Sequence, residues 1–363
     1  MVRPATDRPA PSHRRVIRHD DPAEAARHSF RPHPLLRNGH AMTIAGVKLP
    51  RFQRRFLASE QRFQVRVDAT TTIVAEAHWQ PREAPVAVLV HGLSASAKAV
   101  YVVGAARKAW AAGFSAVRIN LRTCGGTEHL SSTLYHAGLS DDLEALVDWI
   151  ARERRPAWIG VAGFSLGGGI VLHAAARWGG APPDGVARLW VQSAPFDLEE
   201  TSAAMHSGGF NHVYVRYFLD DFRRSWKLTS RLHPERWPRD GVRGIRSVRA
   251  FDDRWTAPSF GWKDAADYYR DASPMTVLDR IQLSGTVLHA ADDPFVPLCP
   301  EAQQALRGHP SLELVETRHG GHNAFFGHQP AVTDGWRDLD RYWGENRMAQ
   351  DFALAARAAG AMP

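Results

Sequence analysis

Ser165 lies in 163-GFSLG-167, where glycines stand two residues on either side of it. A serine hydroxyl attacks a carbonyl carbon only when a base removes its proton and an acid orients that base. Both partners occur later in the chain. An acidic pair lies in 291-ADDPFVP-297, and a histidine loop follows in 319-HGGHNAFF-326. His322 is placed to take the proton from Ser165, with Asp293 orienting its imidazole. The negative charge formed by the attack needs backbone donors. Leu166 N–H, at the start of a helix, is one. Leu93 N–H, in 91-HGLS-94, is the other. Losing one such donor typically costs ~3 kcal/mol of transition-state stabilisation.

The glycine loop has a second reading, a phosphate cradle at a helix N-terminus. It fails on detail, because no Gly-Lys-Ser/Thr follows and the spacing is not G-x-G-x-x-G. Of the two adjacent acids, Asp293 is preferred over Asp292. Side chains of neighbours diverge as the chain turns, and 293-DPFVP-297 places Pro294 directly after Asp293, restricting its direction. Asp292 is left to cap the turn or bond backbone N–H groups. His91 is expected to shape the loop that carries Leu93. His319 and His322 lack a nearby Cys or Glu, so they do not read as a zinc pair. Cys124 reads as a small core or loop residue, Asp252 and Asp253 as turn holders, and Asp197 as the spare acid.

Positioning these groups requires strands that end beside one another. Phe63, Val65 and Val67 alternate with polar residues over Arg62–Asp68. Over Thr72–Trp79, Ile73, Ala75, Ala77 and Trp79 share one side. This period-2 pattern predicts a half-exposed antiparallel pair. Val86–Val90 (VAVLV) is continuously apolar, as a strand buried on both faces should be. Further strands are predicted at Ser115–Asn120, Trp158–Ala162, Arg188–Gln192, Thr286–Ala290 and Leu312–Glu316. Helical patterns lie between most of them, clearest in Leu139, Leu143, Leu146, Val147 and Ile150. The alternation predicts an α/β fold with a mostly parallel sheet flanked by helices.

The expected organisation is an N-terminal arm (1–55), partly disordered, then a first core segment (56–195). A largely helical cap insertion (196–275) and a second core segment (276–363) follow. The cap span is rich in aromatics, including Phe210, Tyr214, Tyr217, Phe218, Trp226, Trp255, Trp262, Tyr268 and Tyr269. Aromatic clusters mostly pack on one another. Some of these are expected to line an apolar acyl pocket.

The 363 residues are 44% hydrophobic and 23% charged, which fits one large globular domain with insertions. The net charge of +7 is concentrated in two places. One is the start of the chain (Arg3, Arg8, Arg14, Arg15, Arg18). The other runs from Arg216 to Arg249 and includes Arg223, Arg224, Lys227, Arg231, Arg243 and Arg246. The first reading of such a patch is a solvated surface. No zinc-finger cysteine set or basic heptad supports nucleic-acid binding. Cys124 and Cys299 are too few for a disulfide framework. The start lacks the apolar stretch of a secretory signal, and no run reaches the ~18 apolar residues of a membrane span. The expectation is a cytoplasmic protein without an integral membrane segment, with room left for peripheral membrane contact. The motifs do not set an oligomeric state.

These residues resemble the α/β-hydrolase superfamily, and within it the YheT-like esterase/lipase family. The narrower likeness rests on 38-NGHAMTI-44, 120-NLRTCGGTEH-129, 135-YHAG-138, 163-GFSLGG-168, 251-FDDRWTAPSFG-261 with 268-YY-269, and 291-ADDPF-295. It extends from about Phe30 to Trp343. The resemblance implies a Ser165, Asp293 and His322 triad, esterase-like activity on acyl esters or lipids, and no metal or organic cofactor. It also implies an alternative, transfer of the acyl group to an alcohol by the same triad. A further competing reading is a non-catalytic binding protein on a hydrolase scaffold, against which the intact triad speaks. The chain departs from the family pattern at Asn38-Gly39-His40, where Asn-Pro-His is common. Two further departures are Arg122-Thr123, where Arg-Gly is common, and Gly169, where Asn often follows the elbow. The apolar N-terminal segment of membrane-anchored relatives is not expected here.

Overall fold

A computed structural model of the chain describes residues 29–51, 53–333 and 335–362. The first 28 residues of the expected arm, with its cluster of arginines, lie outside the described residues. Eight strands form one sheet: β1 (Gln61–Arg66), β2 (Thr72–His78), β3 (Val86–Val90), β4 (Ser115–Asn120), β5 (Ile159–Phe164), β6 (Val186–Gln192), β7 (Gly285–Ala290) and β8 (Leu312–Thr317). Their order across the sheet is β1-β2-β4-β3-β5-β6-β7-β8. β2 pairs antiparallel with both β1 and β4, and every later pairing is parallel.

Helices cover both faces, because the strands are apolar on both. Along β3, Val86, Val88 and Val90 enter one core and Ala87 and Leu89 the other. The first core is closed by α3 (Asp141–Glu153) and α4 (Leu166–Trp178), through residues such as Leu143, Leu146, Ile150 and Ile170. The second is closed by α2 (Val100–Ala111) and α8 (Trp343–Ala358), through Val102, Ala106, Met348 and Phe352. Burying each Val, Leu, Ile or Phe side chain contributes about 1.5–3 kcal/mol. The sheet is therefore a rigid base for the loops that leave it.

One strand expectation is corrected. β2 is not half-exposed: apart from its first residue, both faces are buried. It is an interior strand, and the N-terminal segment covers its polar face. His78 stacks on Phe56 with ring centroids 3.6 Å apart. Glu76 lies 3.6 Å from the buried Arg118 guanidinium, which also bonds Glu60 at 2.6 Å. Period-2 alternation reports polarity, and here the polar side is paired ionically under a cover.

Residues of the expected arm also belong to the fold. Helix α1 (Gly39–Lys48) buries Met42 and Ala45. Arg51 donates to the Gly46 carbonyl and pairs with buried Glu345 of α8, which also holds Lys108 of α2 at 2.7 Å. Between β6 and β7 lie α5 (Leu198–Met205), α6 (Asn211–Leu232) and α7 (Ala265–Ala272). A separate apolar cluster there joins Tyr214, Leu219, Trp226, Trp237 and Phe251 with Phe295.

Candidate active site

The parallel strands bring their C-terminal ends to one edge, where side chains distant in sequence meet. β5 ends at Phe164 and α4 begins at Leu166, leaving Ser165 alone to make the turn. Its φ of 54° is left-handed for a non-glycine residue, a strained conformation that raises the side chain off the sheet. The flanking glycines are needed for space. A Cβ on Gly163 would lie 2.3 Å from the Gly167 carbonyl oxygen, and one on Gly167 would lie 2.4 Å from that of His91.

Ser165 Oγ is 2.9 Å from His322 Nε2. His322 Nδ1 is 2.8 Å from Asp293 Oδ2, and the Asp293 side chain is buried. A carboxylate accepts, so the shared proton sits on Nδ1 and Nε2 presents its lone pair to the serine. Asp293 Oδ1 accepts the backbone N–H groups of Phe295 (3.2 Å) and Val296 (3.0 Å), which fixes the carboxylate. The Phe295 ring lies 4.3 Å from the imidazole.

Asp292 turns elsewhere. Its Oδ1 accepts Gly321 N–H at 2.8 Å, as expected of a turn-holding aspartate, and its Oδ2 lies 3.3 Å from His319 Nδ1. The two histidines thus face different carboxylates. The glycine at position 39 has a steric cause. A Cβ there would lie 1.9 Å from the Asp292 carbonyl oxygen, so any side chain would collide unless that backbone shifted.

The loop after β3 holds Leu93 between two tied amides. Gly92 N–H donates to Tyr101 Oη and Ser94 N–H to Tyr135 Oη, both at 3.0 Å. Among the described residues, no acceptor is found for Leu93 N–H or Leu166 N–H. His91 sits beneath this loop. Its Nδ1–H donates to the Gly92 carbonyl at 2.8 Å and its Nε2 accepts Leu121 N–H at 3.3 Å. Burial lowers its pKa to about 4, so it stays a neutral spacer.

These groups open into a cavity of about 840 Å³ whose walls are mainly apolar. Of the aromatics noted in sequence, Tyr214, Tyr217, Phe218, Trp226, Tyr268 and Tyr269 line it. Trp255 instead packs on Trp226 and Trp237, and Trp262 on His136 and Tyr268.

The remaining candidates have other work. Cys124 is buried, which pushes its thiol well above the usual range and unfits it as a nucleophile. Asp197 caps α5 by accepting Glu200 N–H at 2.9 Å. Asp253 holds a turn by accepting Ala265 N–H at 2.8 Å. Asp252 does not: it is buried at the cavity wall and accepts Tyr269 O–H at 2.7 Å. Burial pushes its carboxyl up to about 6.

Several contributors were not among the residues expected at the site. Thr43 of α1 accepts His322 N–H at 2.8 Å and donates to the Gly39 carbonyl at 2.7 Å, fixing the histidine loop from the other end of the chain. The Asn323 amide nitrogen is 3.2 Å from His322 Nε2. Tyr101 and Tyr135 were equally unexpected. Thr43 and Tyr135 do lie in the NGHAMTI and YHAG stretches that carry part of the resemblance, and Asn323 in the histidine loop; these were the available signals.

Residues 85–329 match the alpha/beta hydrolase fold family. The chain belongs to this family, in its YheT-like branch. It is 33% identical over 252 residues to "Putative esterase YheT" of Escherichia coli (strain K12), covering 68% of this chain and 72% of that protein. It is 28% identical over 245 residues to the mouse phospholipase ABHD3 (66% and 58%). It is 27% identical over 254 residues to a monoacylglycerol lipase of Saccharomyces cerevisiae (67% and 55%). Thus only a little over half of the latter two proteins is matched. Among solved structures, 2,6-dihydroxy-pseudo-oxynicotine hydrolase superposes with a TM-score of 0.54 at 16% identity, over 88% of this chain and 72% of that one. That likeness concerns the fold alone.

Proposed function

We propose that the protein is a serine carboxylic ester hydrolase acting on acyl esters with apolar acyl groups. Ser165 Oγ attacks the ester carbonyl as His322 Nε2 takes its proton, and Asp293 holds the imidazole and stabilises its charged form. Leu93 N–H and Leu166 N–H hold the oxyanion of the tetrahedral intermediate. His322 then protonates the departing alcohol, leaving an acyl-Ser165 ester. Water, deprotonated by the same imidazole, releases the acid and restores the serine. No step calls for a metal or an organic cofactor.

The observation that carries this proposal is the unbroken relay of 2.9 Å and 2.8 Å contacts at the wall of a mainly apolar cavity. Relatives named as an esterase, a phospholipase and a lipase support the same class of reaction.

The test is labelling with a fluorophosphonate, which reacts only with an activated serine. Wild type should be labelled and Ser165→Ala should not, while keeping the wild-type circular dichroism spectrum. Labelling that persists in the folded variant would overturn the assignment. Product analysis with added alcohol checks that water is the acyl acceptor: mostly acid is expected, and mostly ester would indicate transfer.

A further inference from the structure

Helix α6 carries charge that the hydrolytic proposal does not use. Val213, Arg216, Tyr217, Arg223, Arg224, Lys227, Leu228 and Arg231 are all exposed. Their spacing of three and four residues puts them on one long face. Asp220 and Asp221 answer part of this charge, with Asp220 2.8 Å from Arg223 and Asp221 3.1 Å from Arg224. Five cations against two anions leave the face clearly positive.

This face adjoins the opening of the cavity. Val213, Tyr217 and Arg224 also line that cavity, as do Ile44, Val47 and Lys48 of α1 and Lys98. Residues that both line a cavity and face solvent mark its mouth. Val47, Val213 and Tyr217 are each just over half exposed, at 54%, 52% and 56%. The two helices are joined at the rim, where His40 Nδ1 lies 3.1 Å from Tyr214 Oη and the His40 ring 5.0 Å from the exposed Phe210. A ring of apolar side chains fringed by Lys and Arg thus surrounds the way in.

We propose that this rim docks on an anionic lipid bilayer, so that the cavity opens directly onto the membrane surface. Apolar side chains enter the headgroup boundary and the flanking cations meet anionic headgroups, the way an amphipathic basic helix binds an interface. An apolar mouth left in water would expose the kind of patch that marks an interaction site. A lipid surface suits both halves of the rim, whereas an acidic protein would match only its charge. The chain's own first 28 residues are poor candidates to cover it, since their six arginines outnumber four acids. The inference rests on the proposed hydrolysis only for what passes from bilayer to cavity.

The experiment is cosedimentation of the full chain with vesicles of equal parts phosphatidylcholine and phosphatidylglycerol, against pure phosphatidylcholine vesicles. Strong binding to the anionic vesicles, weakened by salt, is expected. The triple variant Arg216→Glu, Lys227→Glu, Arg231→Glu alters cations outside the cavity. Each interfacial cation is worth about a fivefold gain in partition, so losing three and adding three carboxylates should weaken binding by at least ~100-fold. Hydrolysis of a soluble butyrate ester should be unchanged in that variant. Ser165→Ala should bind vesicles like wild type, so failure of the hydrolytic proposal and of this one read out separately. Equal binding of wild type and triple variant, or no wild-type binding to anionic vesicles, would overturn the proposal. So would a dimer in light scattering that the triple variant dissociates, since the rim would then face a second copy.

Discussion

Replacing Asp293 by asparagine keeps size and shape, so its effect isolates the carboxylate. The new amide can sit two ways. With Oδ1 on the Phe295 and Val296 N–H groups, Nδ2 faces His322 Nδ1 and donates to it. The imidazole must then carry its proton on Nε2, where it cannot accept one from Ser165. Flipping the amide restores an oxygen toward His322 but turns NH₂ onto two backbone donors 3.0 and 3.2 Å away. Two buried N–H groups would lose their acceptor, at about 1–3 kcal/mol each. The inactive tautomer therefore prevails. The corresponding change in a serine protease, a general precedent and not a property of this chain, lowers kcat ~10⁴-fold. A loss of that order corresponds to about 5.4 kcal/mol of transition-state stabilisation. Asp292→Asn is the control. Its amide oxygen can keep the Gly321 N–H and it gives up only a 3.3 Å contact to His319, so kcat should stay within about tenfold. The assay is steady-state hydrolysis of a butyrate ester with thermal unfolding measured in parallel. A folded Asp293→Asn within tenfold of wild type, or a larger loss in Asp292→Asn, would refute this account of the relay.

Tyr135→Phe removes the acceptor of Ser94 N–H and frees one side of the loop that holds Leu93. Activity should fall roughly tenfold through kcat with KM little changed, and a trifluoromethyl ketone should bind weaker by the same factor, since only the oxyanion is affected; a change confined to KM would contradict this. Stability should also fall with acid. His91 is neutral in the folded protein down to about pH 4, whereas in the unfolded chain it takes up a proton near pH 6.5. The unfolded state binds the extra proton between these values, so stability present above pH 6.5 is lost as pH falls towards 4, by about 3 kcal/mol. Urea midpoints should drop between pH 7 and 5, and His91→Asn should lessen that slope while other buried histidines such as His136 still contribute to it; an equal slope in the variant would remove His91 from the account.

The sequence by itself determined the strand–helix alternation, the turn at Ser165 and which of the two adjacent aspartates, Asp293, faces His322. These follow from local causes: side-chain period, glycine at crowded turns, and proline fixing the backbone after an acid. Each acts over a few residues, so each is written where it acts. Tertiary structure decided what local pattern does not encode. It placed β2 inside the sheet, where ion pairs with Arg118 make a polar face buriable. It brought Thr43 of a supposed arm to the backbone of His322, 279 residues away. It also set Tyr101 and Tyr135, ordinary residues in sequence, as the two acceptors that leave Leu93 N–H free. Such contacts depend on which elements meet across the sheet edge, and adjacency there is fixed by packing the whole chain.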